Sequence, residues 1–268
     1  MTASSQGITA FILAGSRPGK PDPVALAGGV SHKALLPIGG VPMLLRVIDA
    51  LQQVPQITRI AVCIENPQII ASIIPAGIDV IPARPEGPSA SVLAGLARYG
   101  TPLLVTTADN ALLQPSWVQE LLSQSHPQAD LAVAVAAETT VKRDVPNTQR
   151  TYIRLADLAF SGCNLFLFRT SVSARVADLW RHVEKNRKHP LRVAWLLGPS
   201  ILLRALCGKL TRRALYQRIY RLTSAKAELV PLSDGRAAVD VDKPADVVLA
   251  EELASTLPAC SFAQTLQK

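Results

Sequence analysis

The stretch Leu103–Leu113, LLVTTADNALL, decides the architecture of this chain. Pro102 to Thr106 is a short apolar run that reads as a buried strand, and the chain turns just beyond it at an acid, Asp109. Similar runs recur at Ile8 to Leu13, Ile57 to Ile64, Ile78 to Ile81 and Leu131 to Ala136. Between them lie helical stretches. One starts at Pro42, with Leu45, Ile48 and Leu51 spaced by three; one is expected between Ile64 and Ile78; others cover Ser89 to Tyr99 and Trp117 to Leu122. Strands alternating with helices predict an α/β fold, with a Rossmann-like, mainly parallel sheet sandwiched by helices. A Gly/Pro-rich loop runs from Gly15 to about His32.

After about Val141 the alternation weakens. Strands are expected at Tyr152 to Arg154 and Asn164 to Phe168 around an SGCN turn, then near Leu229 and Val239. Helices are expected at Val172 to Lys188, Leu191 to Leu206 and Thr211 to Leu222, and a last one from Pro244. The 268 residues suit a single domain, with 172–226 as a basic helical insertion. The net charge of +8 is concentrated there: Arg175 to Lys226 holds 13 Lys/Arg against Asp178 and Glu184, a local +11 that leaves the remainder at −3. Aromatics at 4% and the lack of a reader motif argue against nucleic acid. The scattered Cys63, Cys163, Cys207 and Cys260 read mostly as buried thiols instead of zinc ligands or disulfides, since they form no ligand-spaced cluster. The N-terminus lacks a basic region before its short apolar run, so a cytoplasmic location is expected.

Three groups of residues could carry chemistry. In Leu13-Ala14-Gly15-Ser16 a strand runs into a turn without bulk, where backbone N–H groups can approach an anion; an ordinary glycine turn looks the same. Lys33 could neutralise phosphate charge, or be a plain surface lysine. Asp109, at the carboxyl end of a parallel strand, is placed for a metal or stabilises a turn. Asp240 and Asp242 alternate with Val239 and Val241, so on a strand both would face one side; Asp242 could also cap the final helix. One or two carboxylates plus phosphate oxygens suit Mg²⁺.

The motifs FILAGS…HKALLPIGGVPML, SVLAGLARYG, LLVTTADNALL and VDVDKPADVVLAEEL together resemble the nucleotidyltransferase superfamily. This superfamily includes molybdenum-cofactor guanylyltransferases and the cytidylyltransferases of sugar-acid and isoprenoid synthesis. The resemblance covers residues 8 to about 170 and 228 to 255, with the basic block outside it. It implies a sheet of the nucleotide-diphospho-sugar transferase type, with Leu13, Ala14, Gly15, Ser16, Lys33 and Ser91 at the nucleotide. Asp109 and Asp242 would bind Mg²⁺ with Asp240 nearby, Lys33 and Asp109 would be catalytic, and Gly162 and Asn164 would face the acceptor. The opening departs from the family pattern: the second Gly of LAGG is missing, Arg17 follows at once, and a longer insert carries Gly28-Gly29.

The implied reaction passes NMP from an NTP, CTP or GTP, to a phosphorylated small-molecule or lipid-related acceptor and releases pyrophosphate. A glycosyltransferase using Asp240-Val241-Asp242 as a metal motif, and a non-catalytic nucleotide sensor, are the alternatives. Leu191 to Leu206 falls short of the ~20 residues of a bilayer span. The basic helices are expected to pack on the sheet, to join a homodimer, or to lie on an anionic face of the cytoplasmic membrane.

Overall fold

The computed structural model describes residues 7–16, 22–186 and 198–263. Arg17 and the first part of the Leu191 to Leu206 helix expectation lie outside these residues. Strand β1 (Ile8–Leu13) is buried along nearly its whole length, which explains why its sequence is continuously apolar instead of alternating. It pairs in parallel with β4 (Ile57–Ile64) on one side and with β6 (Leu103–Thr107) on the other. Beyond β4 lies β5 (Asp79–Pro82), also parallel.

Beyond β6 the sheet continues through β9 (Ala159–Phe168), β7 (Leu131–Ala137) and β10 (Ala227–Pro231), in the order β10-β7-β9-β6-β1-β4-β5. β9 runs antiparallel to both of its neighbours, and the short β8 (Ile153–Arg154) pairs with it. A two-stranded ribbon of β2 (Pro37–Ile38) and β3 (Val41–Pro42) stands apart from this sheet. The expected mainly parallel α/β sheet is therefore present.

Both faces are covered. Ile12, Val62 and Leu104 pack with Leu45, Ile48 and Leu51 of α2 (Met43–Gln52) and with Val118 and Leu121 of α4 (Pro115–Gln124). On the opposite face Phe11, Ala61 and Val105 meet Val92 and Leu96 of α3 (Pro88–Tyr99) and Ala177 of α6 (Ala174–Lys185). Smaller helices are α1 (Pro23–Ala27) within the Gly15 to His32 loop, and α5 (Glu138–Asp144) after β7. The basic block contributes α6, α7 (Pro199–Leu206) and α8 (Arg212–Thr223), and α9 (Pro244–Ser255) follows the last strand.

Three expectations are corrected. Residues 65–78 form no α-helix, only a 3₁₀ turn at Pro67–Ile69 and further turns. Ile69, Ile70, Ile73 and Ile74 are β-branched and Pro75 closes the segment, so a helix has little to propagate from. The SGCN stretch is not a turn but the interior of β9, where the register with β7 shifts and Asn164 takes φ of 47°. Val239 lies in no strand. A 3₁₀ turn at Gly235–Ala238 precedes it, seated where a Cβ on Gly235 would meet the Thr140 carbonyl oxygen at 2.6 Å.

Candidate active site

β1 has its first crossover neighbour, β4, on one side and β6 on the other, so the sheet opens a crevice at the carboxyl ends of β1 and β6. Both acidic segments reach it. The Ala108 N–H donates to the Leu13 carbonyl at 2.9 Å, tying the β6 exit to the β1 exit. The Val241 N–H donates to the Asp109 carbonyl at 3.1 Å and ties in the segment before α9.

At the centre is Lys33, on a 3₁₀ turn at Lys33–Leu35. Its Nζ lies 2.7 Å from Asp109 Oδ2 and 3.0 Å from Asp242 Oδ1. Burial works against the ammonium charge, but the two carboxylates outweigh it and raise the Lys33 pKa above its ordinary value. Lys33 therefore carries a fixed positive charge. The Thr107 hydroxyl donates to the other oxygen of Asp109. Asp242 does not cap α9: the Asp246 carboxylate turns back to accept from the N–H groups of Lys243 at 2.8 Å and Asp242 at 3.0 Å. The Asp242 carboxylate is thereby left to face Lys33.

Asp240, expected on the same side as Asp242, has other partners. Arg150 holds its carboxylate and also donates to its carbonyl at 2.8 Å, and Asn164 Nδ2 donates to Oδ2 at 2.8 Å. Burial raises the Asp240 pKa, Arg150 pulls it back, and the charges of Asp242 and Asp109 push it up again. The left-handed backbone at Asn164 gives the side chain this direction, and Asn110 Nδ2 supports the irregularity by donating to the Cys163 carbonyl at 3.2 Å. Gly162 is exposed on the same strand, with nothing within 4 Å of the position a Cβ would take.

At the glycine turn the Ala14 N–H is committed to the Cys63 carbonyl at 2.8 Å. The Ser16 N–H points to the Glu65 carboxylate, at 3.2 and 3.1 Å from its two oxygens, and His32 Nε2 holds the same carboxylate at 2.6 Å. A Cβ on Gly15 would lie 3.2 Å from both Glu65 Oε2 and Ala83 Cβ, so a larger residue would crowd the turn. Ser91 is buried, and its hydroxyl accepts from the Arg84 N–H at 2.9 Å and donates to the Gly87 carbonyl at 3.2 Å. It shapes the loop before α3 instead of presenting a free hydroxyl. Glu184 of α6 accepts from the Ser89 N–H and hydroxyl at the start of α3.

Sequence reasoning missed Glu65, His32, Arg150 and Asn110, because each acts through contacts far away along the chain. It also missed Arg46, whose guanidinium donates to the Ala111 carbonyl at 2.9 Å and steadies the loop after Asp109. A cavity of about 360 Å³ lies behind that loop, lined by Arg46, Asp49, Gln53, Gln119 and Cys260, and none of the residues at Lys33 line it.

Among the described residues no group of three or more His, Cys, Asp or Glu forms a metal cage. Two carboxylates converging on one cation are nevertheless a donor set that suits Mg²⁺ when phosphate oxygens complete the shell. Asp109 and Asp242 fit that requirement.

Residues 10–229 match the MobA-like NTP transferase domain, and the chain belongs to that family. The match runs through the basic block, which the motif resemblance did not cover. A hypothetical transferase from Thermus thermophilus is similar at 29% identity and a TM-score of 0.76, covering 90% of this chain and 100% of that one. A CMP:2-keto-3-deoxy-manno-octonic acid synthetase structure complexed with CTP shares the fold, at 16% identity and a TM-score of 0.56 over 94% of this chain and 99% of that one. A 3-deoxy-manno-octulosonate cytidylyltransferase from Bradyrhizobium sp. (strain ORS 278) is 41% identical over 59 residues, 22% of this chain. That match spans about a quarter (24%) of the curated relative's length.

Proposed function

We propose that this member of the MobA-like NTP transferase family passes a nucleotidyl group from CTP or GTP to a phosphorylated acceptor, small or lipid-related, and releases pyrophosphate. The observation that carries the reading is the Lys33 ammonium held between Asp109 and Asp242 at the crevice between β1 and β6. An oxygen of the acceptor phosphate attacks the α-phosphorus, the α–β phosphoanhydride bond breaks, and its electron pair leaves with pyrophosphate. The attacking oxygen is already anionic, so no general base is needed. Lys33 neutralises triphosphate charge, the Leu13 to Ser16 turn approaches the phosphates through its backbone, and Gly162 and Asn164 border the acceptor. Asp109 and Asp242 are the residues that would hold Mg²⁺, which when bound would add charge neutralisation at the phosphates.

Asp240 and Asp242 face different partners, which weighs against their acting as one glycosyltransferase metal motif. The test is pyrophosphate release with each of the four NTPs and pooled phosphorylated acceptors. Release with a preferred NTP is expected, and Asp109→Asn and Asp242→Asn should each lower turnover by about 100-fold or more, roughly 3 kcal/mol. Nucleotide binding without any pyrophosphate release would make the chain a sensor and overturn the reading.

A further inference from the structure

Eight large apolar side chains are exposed on the described surface, and five of them, Leu202, Leu203, Leu206, Tyr220 and Leu222, lie on α7 and α8. Leu203 and Leu206 are the most open of these, at 64% and 76% exposed. Their spacing of three places both on the outer side of α7, while Ile201 turns inward and is buried. Arg204, Lys209, Arg213 and Arg221, on the same two helices or between them, are exposed as well. From Pro199 to Lys226 the sequence has seven Lys/Arg and no carboxylate.

We propose that α7 and the adjoining α8 form a docking face for a bilayer containing anionic phospholipid. Protein interfaces are depleted of charge at their apolar cores, whereas a headgroup layer places negative charge directly above an acyl layer. Exposed leucines on a segment rich in cations, where an acid paired to it is Asp157 on Arg212, match the second arrangement. The eight residues of α7 span roughly 12 Å at 1.5 Å per residue, far short of a bilayer, so the helix lies in the interface plane. No helix among the described residues is long and apolar enough to cross a membrane. On its inner side α8 covers an apolar cavity of about 200 Å³ against the sheet, lined by Phe166, Trp180, Leu215 and Ile219, so its exposed residues are not needed for the core.

This inference does not rest on nucleotidyl transfer, because vesicle binding needs no substrate. The full chain is sedimented with phosphatidylcholine vesicles, with and without phosphatidylserine. Binding is expected to require phosphatidylserine and to fade as salt shortens the screening length from about 10 Å near 0.1 M to about 3 Å at 1 M. Leu203→Ser with Leu206→Ser should weaken partitioning about tenfold or more, and Arg213→Gln with Arg221→Gln by roughly the same factor, each with an unchanged thermal midpoint. Equal binding to neutral vesicles, no binding at low salt, or wild-type binding by the leucine variant would overturn the proposal. So would a dimer, seen by sedimentation velocity, that this variant converts to monomer without any vesicle binding by the parent.

Discussion

The Ser16 N–H, proposed above to approach a phosphate, faces a carboxylate, that of Glu65. On the function proposed above, a triphosphate arriving at this turn would have to displace Glu65, whereas Lys33 would draw it in. The two residues should therefore shift nucleotide affinity in opposite directions. Lys33→Ala is expected to raise the apparent KM for the NTP about tenfold or more, with Lys33→Arg only a partial rescue, because a planar fork does not replace a point charge. Glu65→Ala should lower that KM several-fold by removing a competing anion, about 1 kcal/mol. Steady-state kinetics on both variants decide the matter: a higher KM in Glu65→Ala would make Glu65 part of nucleotide binding instead of its competitor.

Two side chains hold the segment before α9 in place, Arg150 from the loop before β8 and Asn164 from β9. The Arg150 guanidinium bridges the Asp240 carboxylate and carbonyl, and Asn164 completes the set. The Arg150 side chain is only 10% exposed and that of Asp240 20%, so losing the arginine strands a largely buried charge. Arg150→Ala should cost about 3 kcal/mol of stability, and Arg150→Lys should recover part of it while losing the two-pronged contact. Urea unfolding measures this, and an unchanged midpoint in Arg150→Ala would leave the pair with no role in stability. At the same scale the basic block behaves as a layer of the fold. Trp180 stacks on Phe166 at 6.2 Å, Glu184 meets the start of α3, and the Tyr216 hydroxyl accepts from the Leu229 N–H of β10 at 2.8 Å. We therefore propose a single domain in which residues 172–226 are integral.

Across the whole molecule the buried thiols share one sign. Burial raises the pKa values of Cys63, Cys163 and Cys260, the last from 9.0 up to about 11, and it raises Tyr216 as well. Native thiols stay protonated while unfolded ones ionise, so this stability is complete below the unfolded pKa and is lost as pH rises through the folded values. Lys33 adds in the same direction, since its raised pKa favours the folded state until pH passes its ordinary 10.5. The urea midpoint should hold steady up to about pH 8.5 and fall progressively between about 9 and 11. A midpoint that stays flat to pH 11 would refute this account.

The sequence by itself determined the sheet, the crevice and the pair of acids that meet there. Runs such as Ile8 to Leu13 and Leu103 to Val105 are short and mainly apolar, as doubly covered strands are, and Asp109 sits two residues past the end of its strand. The glycine turn and the Asp-Val-Asp motif could be located in the sequence, but not their partners. Only the tertiary structure decided how the polar groups are shared. Asp240 and Asp242, two residues apart, divide between Arg150 with Asn164 and Lys33 because a 3₁₀ turn, not a strand, leads into them. Glu65 reaches Ser16 across 49 residues, and Arg150 reaches Asp240 across 90. Hydrogen bonds between side chains depend on positions in space that no local period encodes, whereas burial of a strand or a helix face is written residue by residue along the chain.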